Sequence, residues 1–225
     1  MKNIEEILRY SELKNFEENF ELIKHISSII DTSDARKVII HISDIWENVN
    51  NNAKEMWIDL IGRAGFYPYY IEKVFKEELT LSLQDQIKTE FFKSDYLPNI
   101  YFHEQQKEIE IALSNGDNIA VSAPTSFGKS LLIEEIVARK QFCNILIIQP
   151  TLALIDETRK KLSKYKGDYN LIINTRQKVL EKNIFILTAE RVLEFPNLPR
   201  IDFFVIDEFY KPFSKEVAKA EAEME

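Results

Sequence analysis

The residues Ala123-Pro124-Thr125-Ser126-Phe127-Gly128-Lys129-Ser130 have the types and spacing to hold a polyphosphate. Gly128 lets the backbone approach phosphate oxygens without a Cβ in the way. Lys129 can set its ammonium on the outer phosphates, and Ser130 can offer a hydroxyl to Mg2+. Such a loop works between a strand and a helix, where free N–H groups and the positive end of the helix dipole favour anions. Asn118-Ile119-Ala120-Val121-Ser122 reads as the buried strand before it. Leu132, Ile133, Ile136 and Val137 give the helical spacing after it. The glycine that usually opens this pattern is Ala123 here, and a chance match would be an ordinary strand-to-helix turn.

A second constellation lies downstream. Phe203-Phe204-Val205-Ile206 reads as a buried strand ending in Asp207-Glu208. At a strand tip Asp207 can hold Mg2+, directly or through water. Glu208 can orient and deprotonate the water that attacks a terminal phosphate. The competing reading is a surface turn. Pro150-Thr151 follows the apolar run 145–148 and offers a hydroxyl and free N–H groups to a phosphate. Thr151 alone reads more simply as an N-cap. Thr188-Ala189-Glu190-Arg191 closes another strand. There Arg191 can pair with a backbone phosphate, and Thr188 taken alone is again a local cap. Gln106 lies on an amphipathic helix with Ile109 and Leu113. Its amide can donate and accept at once, as the N6 and N7 edge of adenine requires. An exposed helix glutamine is the plain alternative, and Gln105 is a second candidate.

These residues need elements to carry them. Residues 1–97 read as an all-α domain of four to six helices, with stripes such as Leu13, Phe16, Phe20, Ile23 and Met56, Trp57, Leu60, Ile61. Trp46 and Trp57 read as core. Ser33 or Asp34 suits an N-cap, and Gly65-Phe66-Tyr67-Pro68 interrupts the pattern. Pro98 disfavours helix at Leu97 and marks a boundary. From residue 98 to 225 short β-branched runs alternate with helices: strands at 118–122, 145–149, 170–174, 184–188 and 203–207, helices at 130–141, 153–164 and 189–194. Alternation of this kind predicts an α/β domain with a parallel sheet, whose ligands sit at the carboxyl ends of its strands.

Composition narrows the function classes. A net charge of −8 argues against a protein that coats nucleic acid generally. Residues 139–182 nonetheless carry 10 basic against 4 acidic side chains. That stretch predicts weak, salt-sensitive contact with a single strand of DNA or RNA. Solvated helix faces are the commoner explanation for such runs. One cysteine, Cys143, allows no internal disulfide and suits a reducing cytoplasm. Three scattered histidines suggest no metal cluster. No apolar run approaches the ~20 residues of a membrane span, and the N-terminus lacks a signal-peptide core.

Taken together, Gln106, the 123–130 loop, Pro150-Thr151-Leu152-Ala153-Leu154, Thr188-Ala189-Glu190-Arg191 and Asp207-Glu208-Phe209-Tyr210 resemble the ordered motifs of superfamily 2, DEAD/DEAH-box type helicases. The likeness covers about residues 100–213. It implies a RecA-like P-loop domain that binds ATP and Mg2+ and contacts a nucleic-acid strand through Pro150, Thr151, Thr188 and Arg191. Within it Gln106 senses adenine, Pro124, Thr125, Ser126, Phe127, Gly128, Lys129 and Ser130 hold phosphates, Ser130 and Asp207 hold the metal, and Lys129 and Glu208 serve catalysis. Ala189 replaces the proline usual in the fourth motif. Phe209-Tyr210 replaces the usual Ala-Asp or Ala-His pair, which leaves the acids intact and alters their link to the motifs that sense hydrolysis. The resemblance further implies that hydrolysis needs a second RecA-like domain, in the same chain or from a protein partner. It also suggests a bacterial antiphage-defence or DNA-repair helicase. An alternative is a catalytically weak regulatory or nucleic-acid-binding module. A small-molecule kinase explains 123–130 and Asp207 but not Pro150-Thr151 or Gln106.

Overall fold

The structure, a computed structural model, describes residues 4–124 and 127–208. It divides into two compact units, Met1–Ala120 and Val121–Glu225.

The first unit is helical. Among its described residues are α1 (Ile4–Ile7), α2 (Phe16–Ser28), α3 (Ser33–Asp44), α4 (Lys54–Arg63), α5 (Tyr67–Lys76), α6 (Leu83–Phe92) and α7 (Glu104–Ser114). Caps set several starts: Asn15 accepts from Glu18 N–H, Thr32 from Ala35 N–H and Ser82 from Asp85 N–H. The cap of α3 is thus Thr32, one residue before the expected Ser33. Pro68 lies in the first turn of α5, where its missing N–H costs nothing. Trp46 and Trp57 are buried in one apolar core, as expected. Each indole has a partner: Trp57 Nε1 donates to Asn19 Oδ1 and Trp46 Nε1 to Glu77 Oε1. Leu83, Ile87 and Phe91 stand exposed at i, i+4 and i+8 on α6.

The second unit is a four-stranded parallel sheet with helices, the expected α/β class. Its elements are α8 (Lys129–Ala138), β1 (Asn144–Ile148), α9 (Leu152–Leu162), β2 (Asn170–Ile172), β3 (Asn183–Leu187), α10 (Ala189–Leu193) and β4 (Phe203–Ile206). The strand order is β2-β3-β1-β4, with Ile145 beside Ile184 and Phe203 in register. Alternation sends Ile145, Ile147, Ile184 and Ile186 into a core with Val137 of α8 and Ile155 and Leu162 of α9. Leu146, Ile172, Phe185 and Leu187 face the other way and pack with Phe195. β3 is buried along its whole length, as a strand covered on both faces should be.

Two expectations are corrected. The strand over 118–122 does not form. Residues 117–124 have no regular structure, and Ile119 is 42% exposed. A strand needs a ladder partner for its N–H and C=O groups, and among the described residues no bridge pairs this segment. The strand before Asp207 is not fully buried either. β4 pairs with β1 alone among the described residues, and Phe204 and Ile206 face outward.

The amino end of the sheet is tied by side chains. Asn183 Nδ2 donates to Asn144 Oδ1 and to the Leu180 carbonyl, and its Oδ1 accepts from Leu180 N–H. Asp202 Oδ2 accepts from the backbone N–H groups of Cys143 and Asn144. These bonds close the polar groups that strand starts leave open.

Candidate functional site

α8 begins where glycine allows it. Gly128 is its N-cap at φ +82, in the left-handed region that favours a residue without Cβ. Phe127 N–H donates to the Pro124 carbonyl and Leu131 N–H to the Gly128 carbonyl, so the chain folds tightly into the helix. Lys129 Nζ donates to the carbonyls of Ala123 at 2.8 Å and Pro124 at 3.1 Å. These two bonds hold the ammonium against the loop backbone. Thr125 and Ser126 lie outside the described residues.

Ser130, in the first turn of α8, is exposed. Its hydroxyl lies 3.2 Å and its carbonyl 3.0 Å from Lys161 Nζ, near the end of α9. Lys161 and Lys164 both pair with Glu134, which is 6% exposed. Burial pushes the Glu134 carboxyl up, but hydrogen bonds from Lys164 and Lys161 and their charges outweigh it and hold it below the ordinary range.

Asp207 sits just past β4, its backbone N–H donating to the Ile148 carbonyl at the end of β1. Glu208 follows at φ +50, a left-handed turn rare for a side-chain-bearing residue. Gln149 is 3% exposed, and its backbone N–H donates to the Leu187 carbonyl of β3. Its Nε2 donates to Thr158 Oγ1 at 2.8 Å and lies a long 3.5 Å from Asp207 Oδ2. Its Oε1 is buried with no partner among the described residues, a state that costs about 1–3 kcal/mol.

Both halves have a hydrogen-bonded link to α9. Thr158 reaches toward Asp207 by way of Gln149, and Lys161, one turn on, reaches Ser130. A hydroxyl and a carboxylate are the hard oxygen donors that suit magnesium. Among the described residues no cluster of three or more His, Cys, Asp or Glu forms a cage for a metal. A magnesium ion bound here would take further ligands from phosphate and water, which is its usual habit. The residues present fit the group.

The other candidates sit in structural bonds. Thr151 caps α9 by accepting from Leu154 N–H, and Pro150 precedes it at the end of β1. Thr188 caps α10 through Arg191 N–H, and the Arg191 guanidinium donates to the Ile173 carbonyl at 3.0 Å. Gln106, in the first unit, is 3% exposed, so the plain reading as an exposed helix glutamine does not hold. Its Oε1 accepts from His103 N–H and closes the start of α7. Within the basic stretch Asp156 takes Arg159 and Lys160, Asp168 takes Lys140, and Glu134 takes Lys161 and Lys164. Gln149, Thr158 and Lys161 were not singled out from the sequence. The available signal was a polar residue ending the apolar run 145–148, followed by a helix with polar residues three apart.

Known proteins add the following. A family model described as DEAD/DEAH box helicase matches residues 102–221. A second, the anti-bacteriophage protein B N-terminal domain, matches residues 1–86. Anti-bacteriophage protein B of Escherichia coli (strain K12) is 30% identical over 207 residues, 91% of this chain and 28% of that protein. The chain thus spans little more than a quarter of that relative. No solved structure matches at a significant level. The parallel sheet and its helices are those of a RecA-like domain behind a helical N-terminal region, and the chain belongs to the DEAD/DEAH box helicase family.

Proposed function

We propose that residues 98–225 form an ATP- and Mg2+-binding module of a helicase. The observation that supports this reading is that Lys161 and Thr158, one turn apart on α9, bond to Ser130 and to Gln149, whose Nε2 lies 3.5 Å from Asp207 Oδ2. In this reading Pro124, Thr125, Ser126, Phe127 and Gly128 wrap the phosphates, and Lys129 neutralises the outer ones. Ser130 and Asp207 take the metal. When bound, the metal supplies a positive charge that offsets what develops on the phosphates. Glu208 orients the attacking water and accepts its proton. Pro150 and Thr151, with Thr188 and Arg191, contact a nucleic-acid strand, for which Arg191 exchanges or shares its bond to Ile173.

Turnover at full rate is assigned to an assembly with a second RecA-like domain, since an arginine acting across the cleft contributes about 10³–10⁵ in rate where it is used. The likeness to anti-bacteriophage protein B supports placing the whole protein in defence against phage. The test is calorimetry of Mg-ATP with wild type and Lys129→Ala. Losing a hydrogen bond to a charged group costs about 1.5–3 kcal/mol, so Lys129→Ala should weaken binding about ten- to a hundredfold. Equal binding by both proteins would remove the loop from the site.

A further inference from the structure

The next inference rests on the magnesium–nucleotide reading above and deepens it. Asp207 can only accept hydrogen bonds as a carboxylate. The neighbouring Gln149 amide is therefore fixed in sense. Its Nε2 must face Asp207 Oδ2, because the flipped amide would set Oε1 against the carboxylate. Thr158 Oγ1, which can accept or donate, accepts from the same Nε2 at 2.8 Å and suits that sense. Oε1 is then left over, buried and unpartnered among the described residues. The contrast with Asn183 is direct. At the amino end of the sheet that buried amide has its Oδ1 and Nδ2 both bonded within the protein. At the carboxyl end, beside the metal-binding carboxylate, a buried amide of the same kind keeps one acceptor open.

We propose that Gln149 is a positioning residue for magnesium. Its Nε2 holds the Asp207 carboxylate in place, and its Oε1 accepts from a water of the metal's hydration shell. A hydrated divalent cation is a source of strong donors, since magnesium keeps several of its waters when protein and phosphate supply the remaining ligands. Thr158 on α9 orients Gln149. The amide ties the acid after β4 to the helix that starts at Thr151.

The measurement is binding of the fluorescent probe mant-ADP to the full chain, first in EDTA and then across a magnesium titration, for wild type, Gln149→Leu, Thr158→Val, Thr158→Ser and Asp207→Asn. Loss of a residue that supports a metal ligand typically costs about 10–100-fold in metal affinity. Gln149→Leu should raise the magnesium needed for half-maximal effect about tenfold while metal-free affinity stays put. Thr158→Val should move in the same direction, and Thr158→Ser, which keeps the hydroxyl, should restore wild-type behaviour. A purely structural tie would shift the metal-free and metal-bound affinities together. That result would overturn the inference, as would an unchanged magnesium requirement in Gln149→Leu and Thr158→Val. Should Gln149→Leu not fold, the Thr158 pair decides alone. If wild type itself shows no magnesium dependence, or Asp207→Asn keeps it, the underlying metal reading fails and takes this inference with it.

Discussion

Gly128 carries the most exacting backbone requirement in the loop. At φ +82 a Cβ costs about 1–2 kcal/mol. Gly128→Ala should therefore lower the thermal midpoint and weaken nucleotide binding together. Gly167 is the control: its added Cβ would meet nothing within 4 Å, and no positive φ opposes it. Gly167→Ala should leave both quantities unchanged, measured by thermal melting and calorimetry. Single residues also show where sequence reading runs out. Thr151 and Thr188 fit both a helix cap and a phosphate contact, because one hydroxyl suits either partner. The structure places both in caps. Gln149 escaped notice because its role depends on β1 and β4 lying side by side, which a linear reading does not contain.

At the scale of elements, α9 joins the acid to the loop. Its pairing with α8 through Glu134 makes a pH prediction. Folding holds the Glu134 carboxyl below its ordinary 4.5. The group therefore adds stability that is present above that pH and lost as pH falls through the lower folded value. Glu134→Gln lacks this contribution, so wild type should be the more stable near neutrality. The gap should close on acidification below about pH 4.5, and denaturant melts across pH check it. A gap that widened in acid would contradict the Lys161–Glu134–Lys164 arrangement. Strand content was legible where apolar runs had partners. The runs at 145–148 and 184–187 lie in the middle of the sheet and formed. The run 118–122 is also mostly apolar, with Ile119, Ala120 and Val121, but among the described residues it has no ladder partner and remains irregular. Periodicity reports which residues are apolar, and the neighbour that makes a strand lies far away in sequence.

For the whole molecule, fold class was the most legible property. A helical period followed by alternating strands and helices predicted one helical and one α/β region, and the two units, Met1–Ala120 and Val121–Glu225, are helical and α/β. Ion pairing between side chains was not legible. Among the described residues, six of the ten cations in the basic stretch 139–182 are matched to acids within the second unit. Binding to a single strand should therefore be weaker and less salt-sensitive than its charge alone suggests. With about three phosphates neutralised, the slope of log K against log salt should be near −2. Fluorescence anisotropy with a labelled oligonucleotide at increasing salt gives that slope, and a flat response would remove the nucleic-acid reading.

The central claim is that Lys129, Ser130 and Asp207 act on one metal–nucleotide complex. Its most direct test is electron paramagnetic resonance of Mn2+ used in place of magnesium, with ATP labelled with 17O in its β- and γ-phosphates. The account predicts an ion whose lines broaden with the labelled phosphates in wild type. That protein-bound ion should be lost in both Lys129→Ala and Asp207→Asn. An Asp207→Asn protein that binds Mn-ATP with an unchanged spectrum would contradict it.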